Sequence, residues 1–393
     1  MSQKKIYEKD RLTAEERLEA VIRLEQPDRV PLSMMIYNYS PFHAKVKASD
    51  YVHKPSVYLK AIRQVYEDIG PWDIYYNINP VSKLTYSFVM MMRLLYPGDD
   101  LPENVMTQIE EFEYMQPEDY DQILQMKSNL ANNVFRARML PRFCKETEGL
   151  GPIRLRSKLA LGFLKQGLFW IRDQRWWREQ GLVIQIGYQA EMPIDMFSMA
   201  RTVIPFSMDL FQRPEKIREA AMKLSPSFAD WSIRIARYTR IPRVQCYCHR
   251  TSNNFISPRQ FEELAFPSME EIVCRIIDAG ITPILHCDGD WMKNLKVLRR
   301  LPAKKIILQL DGLTDIFRAK DEIGDHMCLF GDVPAEKLVM GSPQEVDEYC
   351  HRLITEVGRG GGFILAAGCE IPYNAKSENL RAMVQSVYKY GYY

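Results

Sequence analysis

The chain has 393 residues, 46% hydrophobic and 11% aromatic, enough apolar material for a large buried core, so intrinsic disorder is excluded. Its 52 Lys and Arg stand against 50 Asp and Glu, a net charge of +2, which argues against a nucleic-acid binder driven by overall charge and points to a small or local partner. No run of about eighteen apolar residues is free of interruption, the longest candidate, residues 159–171, being broken by Lys165 and Gln166, so no membrane-spanning helix is expected.

The first ten residues carry Lys, Glu and Asp, with no apolar core before Leu12, unlike a secretory signal, and a cytoplasmic location is the expectation. Thr13 and Glu16 have the spacing of a capping box and open a predicted helix over residues 13–24. Two strand-like runs follow, residues 30–37 and 72–78, separated by a helical stretch over 55–68. Residues 82–180 then form an insertion of mostly helical character that a minimal barrel does not need, and its position after a strand predicts a lid or pocket wall. Inside it, Arg154, Arg156, Lys158, Lys165, Phe169, Trp170, Arg172, Arg175, Trp176, Trp177 and Arg178 form a basic and aromatic cluster. It is either a docking surface for an anionic partner or cofactor phosphate, or an amphipathic helix with Trp inward and Arg in water.

Further strand-like runs lie at 183–190, 243–247, 281–287, 305–310, 327–330 and 362–367, with helical stretches between them. The clearest helix covers 342–357, opened by the Ser342/Glu345 capping box with Pro343 at its first position. Eight near-continuous apolar strands alternating with helices predict an α/β fold, a (β/α)8 TIM-type barrel over residues 1–393 as one domain, with the insertion after the second strand. The eight cysteines (144, 246, 248, 274, 287, 328, 350 and 369) are too dispersed for a disulfide framework and read as reduced thiols.

In such barrels the working groups sit at the C-terminal strand ends, which selects His286, Asp288, Asp311, Asp332, Cys369 and Glu370. His286 and Asp288 are two apart on an extended segment and share a face, while Cys287 points the other way. With Cys369 they supply nitrogen, oxygen and sulfur donors suited to Zn2+ with one position open. The alternatives are a hydrogen-bonded His-Asp pair without metal, and turn-forming roles for Asp311 and Asp332, each beside a glycine. Tyr37, Tyr39, Tyr75 and Tyr76 near the first two strand ends are candidate substrate-binding residues or barrel packing.

Glu16-Arg17-Leu18, Pro27-Asp28-Arg29-Val30-Pro31, Ser257-Pro258-Arg259-Gln260-Phe261, Ile284-Leu285-His286-Cys287-Asp288-Gly289, Gly368-Cys369-Glu370-Ile371-Pro372 and Glu378-Asn379-Leu380-Arg381-Ala382-Met383 together resemble the uroporphyrinogen decarboxylase superfamily. The resemblance is closer to its cobamide-dependent methyltransferase branch, because the decarboxylase's arginine-rich substrate motif is absent after Pro31. That branch holds zinc with a His-x-Cys pair and a later Cys; His286 and Cys369 match, while Asp288 stands where the middle Cys would be. A carboxylate in place of a thiolate leaves a harder Lewis acid, suited to the ether oxygen of a methoxylated compound. The resemblance implies methyl transfer between a small molecule and the cobalamin of a separate corrinoid protein, since the chain has no cobalamin-loop motif of its own. It further implies zinc polarising the substrate heteroatom, with Asp311, Asp332, Glu370 or His249 orienting substrate or handling its proton. A coenzyme M-type thiol methyltransferase, a metal-free decarboxylase and a non-catalytic corrinoid chaperone are the competing expectations.

Overall fold

The computed structural model describes residues 6–77, 83–85, 92–125 and 147–393. Ile78, Ser82, residues 86–91 and 126–146 of the insertion, and Cys144 lie outside the described residues. Parallel strands run β1 (Ser33–Met34), β2 (Ile74–Tyr75), β5 (Val183–Ile184), β6 (Tyr188–Glu191), β7 (Arg243–Cys248), β8 (Thr282–Cys287), β9 (Ile307–Leu310), β10 (Cys328–Val333) and β11 (Phe363–Ala367). β3 (Arg93–Leu95) and β4 (Gln108–Glu110) form a separate antiparallel pair within the insertion.

Hydrogen bonding orders these strands β1-β2-β5 and β6-β7-β8-β9-β10-β11. β5 and β6 are halves of one bent strand: Gln185 N–H donates to Tyr75 O, and two residues later Gly187 N–H donates to Arg243 O, both at 2.9 Å. The bend needs glycine at 187, where a Cβ would collide with the Ile241 carbonyl. The circuit closes on the far side by a parallel bridge between Leu32 and Leu365. The result is an eight-stranded (β/α)8 barrel in which the predicted strand 183–190 is bent in two, and the predicted 327–330 runs on to Val333. β1 pairs over only two residues, because Pro31 has no N–H and the Leu32 N–H goes to Asp73 Oδ2 at 2.9 Å.

The inside of the barrel is layered. At its N-terminal end the helix Ala14–Ile22, opened by the Thr13/Glu16 capping box, packs Ala14, Leu18 and Val21 against Ile74, Val183, Ile284, Ile307, Cys328 and Ile364. That plug is fixed by a buried ionic knot in which Arg17 meets Asp10, Asp28 and Asp73, and Arg29 meets Asp10 and Asp73, at 2.7–3.1 Å. Above it lies a polar layer of buried glutamines. Ser33 Oγ donates to Gln185 Oε1, Gln185 Nε2 to Gln245 Oε1, and Gln245 Nε2 to both Gln309 Oε1 and Tyr76 OH, over 3.0–3.4 Å.

The predicted helix 342–357 is α-helical over Pro343–Arg352, with its capping box formed, and continues as a π turn over Leu353–Val357. In the insertion the helix Pro152–Glu179 buries Gly162, Gln166, Phe169, Asp173 and Trp177 along one side. Trp177 stacks on Tyr75 with centroids 4.1 Å apart, while Arg154, Arg156, Lys158, Lys165, Arg172, Arg175 and Arg178 face water. The helix thus packs Phe169 and Trp177 inward and leaves its basic side chains in water, together with Ile153, Leu161, Phe163, Leu164, Leu168 and Ile171. Segment 111–115 reaches the helix Pro193–Arg201 that follows β6: Tyr114 and Met115 N–H donate to Ala200 O, and Glu111 and Glu113 pair with Arg250 and Arg201. No helix among the described residues is long and apolar enough to cross a membrane.

Candidate metal centre at the barrel mouth

Pleating decides which side chains enter the barrel. On β8, Cys287 is 1% exposed and belongs to the hydrophobic core, whereas His286, 3% exposed, points to the mouth and Asp288 follows on the same face. His249 lies one residue past β7, Glu191 ends β6, and Cys369 comes just after β11. Cys369 follows Gly368, where a Cβ would collide with the Asp311 carbonyl, so the chain turns tightly enough to bring the thiol back over the barrel.

His286 Nε2 lies 3.2 Å from Asp288 Oδ1 and 3.8 Å from Cys369 Sγ; His249 Nε2 lies 3.7 Å from Asp288 Oδ2. Ligands on a tetrahedral zinc, with bonds of about 2.0–2.3 Å, stand roughly 3.3–3.6 Å apart. The three separations lie close to that range. Among the described residues His249, His286 and Asp288 form a group whose donor atoms all lie within 4.8 Å of one another. Of the three expected ligands, His286 and Asp288 are in it, while Cys369 adjoins it at His286.

The electrostatics are mixed: burial would lower His286, but its contacts with Asp288 and Cys369 hold it well above the usual imidazole range, so an ion there would displace a proton. Burial pushes Glu191 well above the usual carboxylate range, reinforced by Asp195, and neither Glu191 oxygen has a hydrogen-bond partner. Burial also lifts Asp195 to about 7, although it accepts from Arg250 N–H at 2.6 Å and Thr251 Oγ1 at 3.3 Å. His249 is pushed down to about 4 by burial, with Asp288 opposing, so its imidazole is neutral and able to ligate at neutral pH. Asp288 is held below the usual range, since His286 outweighs the burial that would raise it.

The remaining predicted residues fall in different places. Asp311 Oδ2 accepts from Gly289 N–H at 2.7 Å and Oδ1 from Leu313 N–H at 2.9 Å, which ties the loop after β9 to that after β8. Asp332 lies within β10, accepts from Tyr349 OH at 2.9 Å, and is lifted to about 7 by burial. Glu370 Oε1 accepts from Asn38 N–H at 2.8 Å, and burial lifts this carboxyl to about 8. Among the tyrosines, Tyr76 clusters with Met35, Ile186 and Cys369 at the mouth. Tyr37 packs on Tyr51 and Tyr58, Tyr39 OH bonds Ser377 Oγ, and Tyr75 OH donates to Asp173 on the insertion helix. Alternation turns Tyr75 outward when Tyr76 turns in.

Sequence reasoning missed Glu191 and Asp195. Glu191 stood one residue past the predicted strand 183–190, so the strand-end rule selects it once β6 is extended by that residue. Asp195 offered no strand signal, being in the first turn of a helix. The buried glutamine layer was visible only as single polar residues in apolar strands.

The fold and site thus define a β/α barrel with a candidate metal centre at the C-terminal ends of its strands. Residues 182–390, just over half the chain, match the family described as Uroporphyrinogen decarboxylase (URO-D), and the chain belongs to that family. A solved methyltransferase from Methanosarcina mazei is similar over 96% of this chain and 99% of that one, with a TM-score of 0.66 at 15% identity, a likeness that shows the fold. A family 2 AP endonuclease from Brucella melitensis aligns over 52% of this chain and 78% of that one, with a TM-score of only 0.33 at 13% identity. No match was found among curated proteins.

Proposed function

We propose that the protein is a methyltransferase that moves a methyl group between a small molecule, favoured as a methoxylated compound, and the corrinoid of a separate corrinoid protein. The observation that carries this reading is the His286–Asp288 donor pair, 3.2 Å apart, with Cys369 Sγ 3.8 Å from His286 Nε2, at the mouth of a barrel similar to that of the M. mazei methyltransferase. Zinc bound there would supply Lewis acidity to the heteroatom that loses or gains the methyl.

The chain's own residues do the rest. Asp288 brings a carboxylate where a thiolate would soften the ion, which favours an oxygen leaving group. His286, 3% exposed, is locked beside Asp288 so that the donor pair is preorganised. Met35, Tyr76 and Ile186 form an apolar wall next to Cys369 against which a methyl-bearing ring can lie. Glu370 follows Cys369, accepts from Asn38 N–H, and would handle the substrate's proton, while Asp311 keeps the β8 loop in position. Segment 111–115, tied to Arg201 and Arg250 beyond β6 and β7, supports the insertion as a wall of the mouth.

The test uses zinc-loaded protein with free cob(I)alamin under anaerobic conditions, a panel of methoxylated aromatics and methyl thioethers, and parallel assay of carbon dioxide. The expected result is methylcob(III)alamin from a methoxylated compound, with release of its free hydroxyl product. Transfer from thioethers alone would move the reading to a thiol methyltransferase. Carbon dioxide release that ignores zinc would overturn it in favour of a metal-free decarboxylase.

A further inference from the structure

His249 was expected to orient substrate or carry a proton, yet its geometry is poor for that. Its two ring nitrogens lie 3.6 Å from Glu191 Oε1 and 3.7 Å from Asp288 Oδ2. Both separations exceed a hydrogen bond, so the imidazole is not a link in a closed relay between the carboxylates. The Nε2 separation is close to the edge of a metal polyhedron that already includes Asp288 and His286. Glu191 adds an independent observation. It is 7% exposed, both of its oxygens lack hydrogen-bond partners, and one of them faces the Nδ1 side of His249. A buried carboxyl left this way either stays protonated or pairs with a cationic centre or a donor brought within reach.

We propose that His249 is itself a ligand of the mouth ion, alongside His286 and Asp288, and that Glu191, whose Oε1 lies 3.6 Å from Nδ1, is the positioning residue that takes up a hydrogen bond from this nitrogen when His249 turns onto the ion. The proposal rests on the ion-binding reading above and changes its donor set to two imidazoles and one carboxylate, converging from the ends of β7 and β8. Cys369, which adjoins the group at His286 only, becomes the outlying fourth donor that an incoming heteroatom can displace.

Two imidazoles and a carboxylate form a borderline-to-hard face, which accepts oxygen ligands more readily than a face built on two thiolates. The same arrangement explains Glu191: ligating histidines characteristically hand their second nitrogen to a carboxylate or carbonyl, which fixes the ring's tautomer and direction. Glu191 comes from β6, so three consecutive strands of the barrel wall, β6, β7 and β8, build the site in register. Tyr247 pairs with Glu191 on one side and His286 on the other, and His249 stands two residues further on.

The probe is Co2+, titrated into chelator-stripped wild-type protein and into His249→Asn, Glu191→Gln and Cys369→Ser, with binding and visible absorption recorded and circular dichroism checking the fold. His249→Asn should weaken cobalt binding by more than about 100-fold and change the visible bands, beyond the roughly 10–100-fold typical of an orienting partner. Glu191→Gln should fall within that smaller range and keep the bands. Cys369→Ser should retain the ion and lose the sulfur-to-cobalt absorption. Wild-type affinity and unchanged bands in folded His249→Asn would overturn the proposal while leaving the ion-binding reading intact; wild-type protein that takes up no cobalt would remove that reading itself. Should His249→Asn fail to fold, His249→Gln, which keeps more of the side-chain volume, is read by the same two criteria.

Discussion

Cys287 and Asp288 are adjacent in the chain and part company at the barrel wall, one entering the hydrophobic core and the other the mouth. That divergence follows from strand pleating alone, so it was legible in the sequence from the spacing of His286 and Asp288. Asp288→Ala should lower zinc affinity by more than about 100-fold, exceeding the range of residues that merely orient a ligand. Cys287→Ala should cost about 1 kcal/mol of stability, the ordinary scale for a small core truncation, and leave zinc in place. Equilibrium dialysis with zinc and urea denaturation of both variants check the pair; zinc loss in Cys287→Ala with retention in Asp288→Ala would mean that the strand bulges and turns the thiol inward. What the sequence withheld at this scale was convergence: nothing in the spacing of Glu191, His249 and His286 along the chain shows that three neighbouring strand ends aim them at one point.

At the scale of elements, capping chemistry was readable because it is local. Thr13/Glu16 and Ser342/Glu345 form their boxes where the spacing placed them. The ionic knot under the barrel was not, since Arg17 and Arg29 meet Asp73 across 56 and 44 residues. Two motifs that carried the family resemblance, Glu16-Arg17-Leu18 and Pro27-Asp28-Arg29, are therefore structural: they fasten the first helix across the N-terminal end. Removing one partner leaves an uncompensated buried charge, so Arg17→Leu should destabilise the fold by about 3–5 kcal/mol, read as a shift in denaturation midpoint at constant slope. The pH dependence has a definite sign. Burial would raise Asp10 and Asp28, but Arg29 and Arg17 respectively overcome it and hold both below their ordinary values. Their contribution is fully present above the unfolded carboxylate value of about 3.9 and is lost as pH falls through the lower folded values. Wild-type protein should thus lose stability steeply below about pH 4, and Arg17→Leu should show a shallower loss over the same window; parallel denaturation curves from pH 6 to pH 2 measure both.

For the whole molecule, alternation of apolar strands with helices was sufficient to predict an eight-stranded barrel, because only a covered parallel sheet buries such strands on both faces. Closure was harder to foresee. It depends on the bend at Gly187 and on the Leu32 to Leu365 bridge, both set by tertiary contacts. Placing the glutamine layer between an apolar plug and the mouth gives the barrel a sealed end and a reactive end, and every donor discussed above lies at the second. The function proposed for that end stands on the ion. The most direct measurement is a zinc titration of chelator-stripped protein, with the rate of methylcob(III)alamin formation from cob(I)alamin and a reactive methyl donor as readout. The rate should rise linearly and saturate at about one equivalent of zinc per chain, the stoichiometry of a single mononuclear site. A rate already maximal in stripped protein and indifferent to added zinc would contradict metal-assisted methyl transfer at this site.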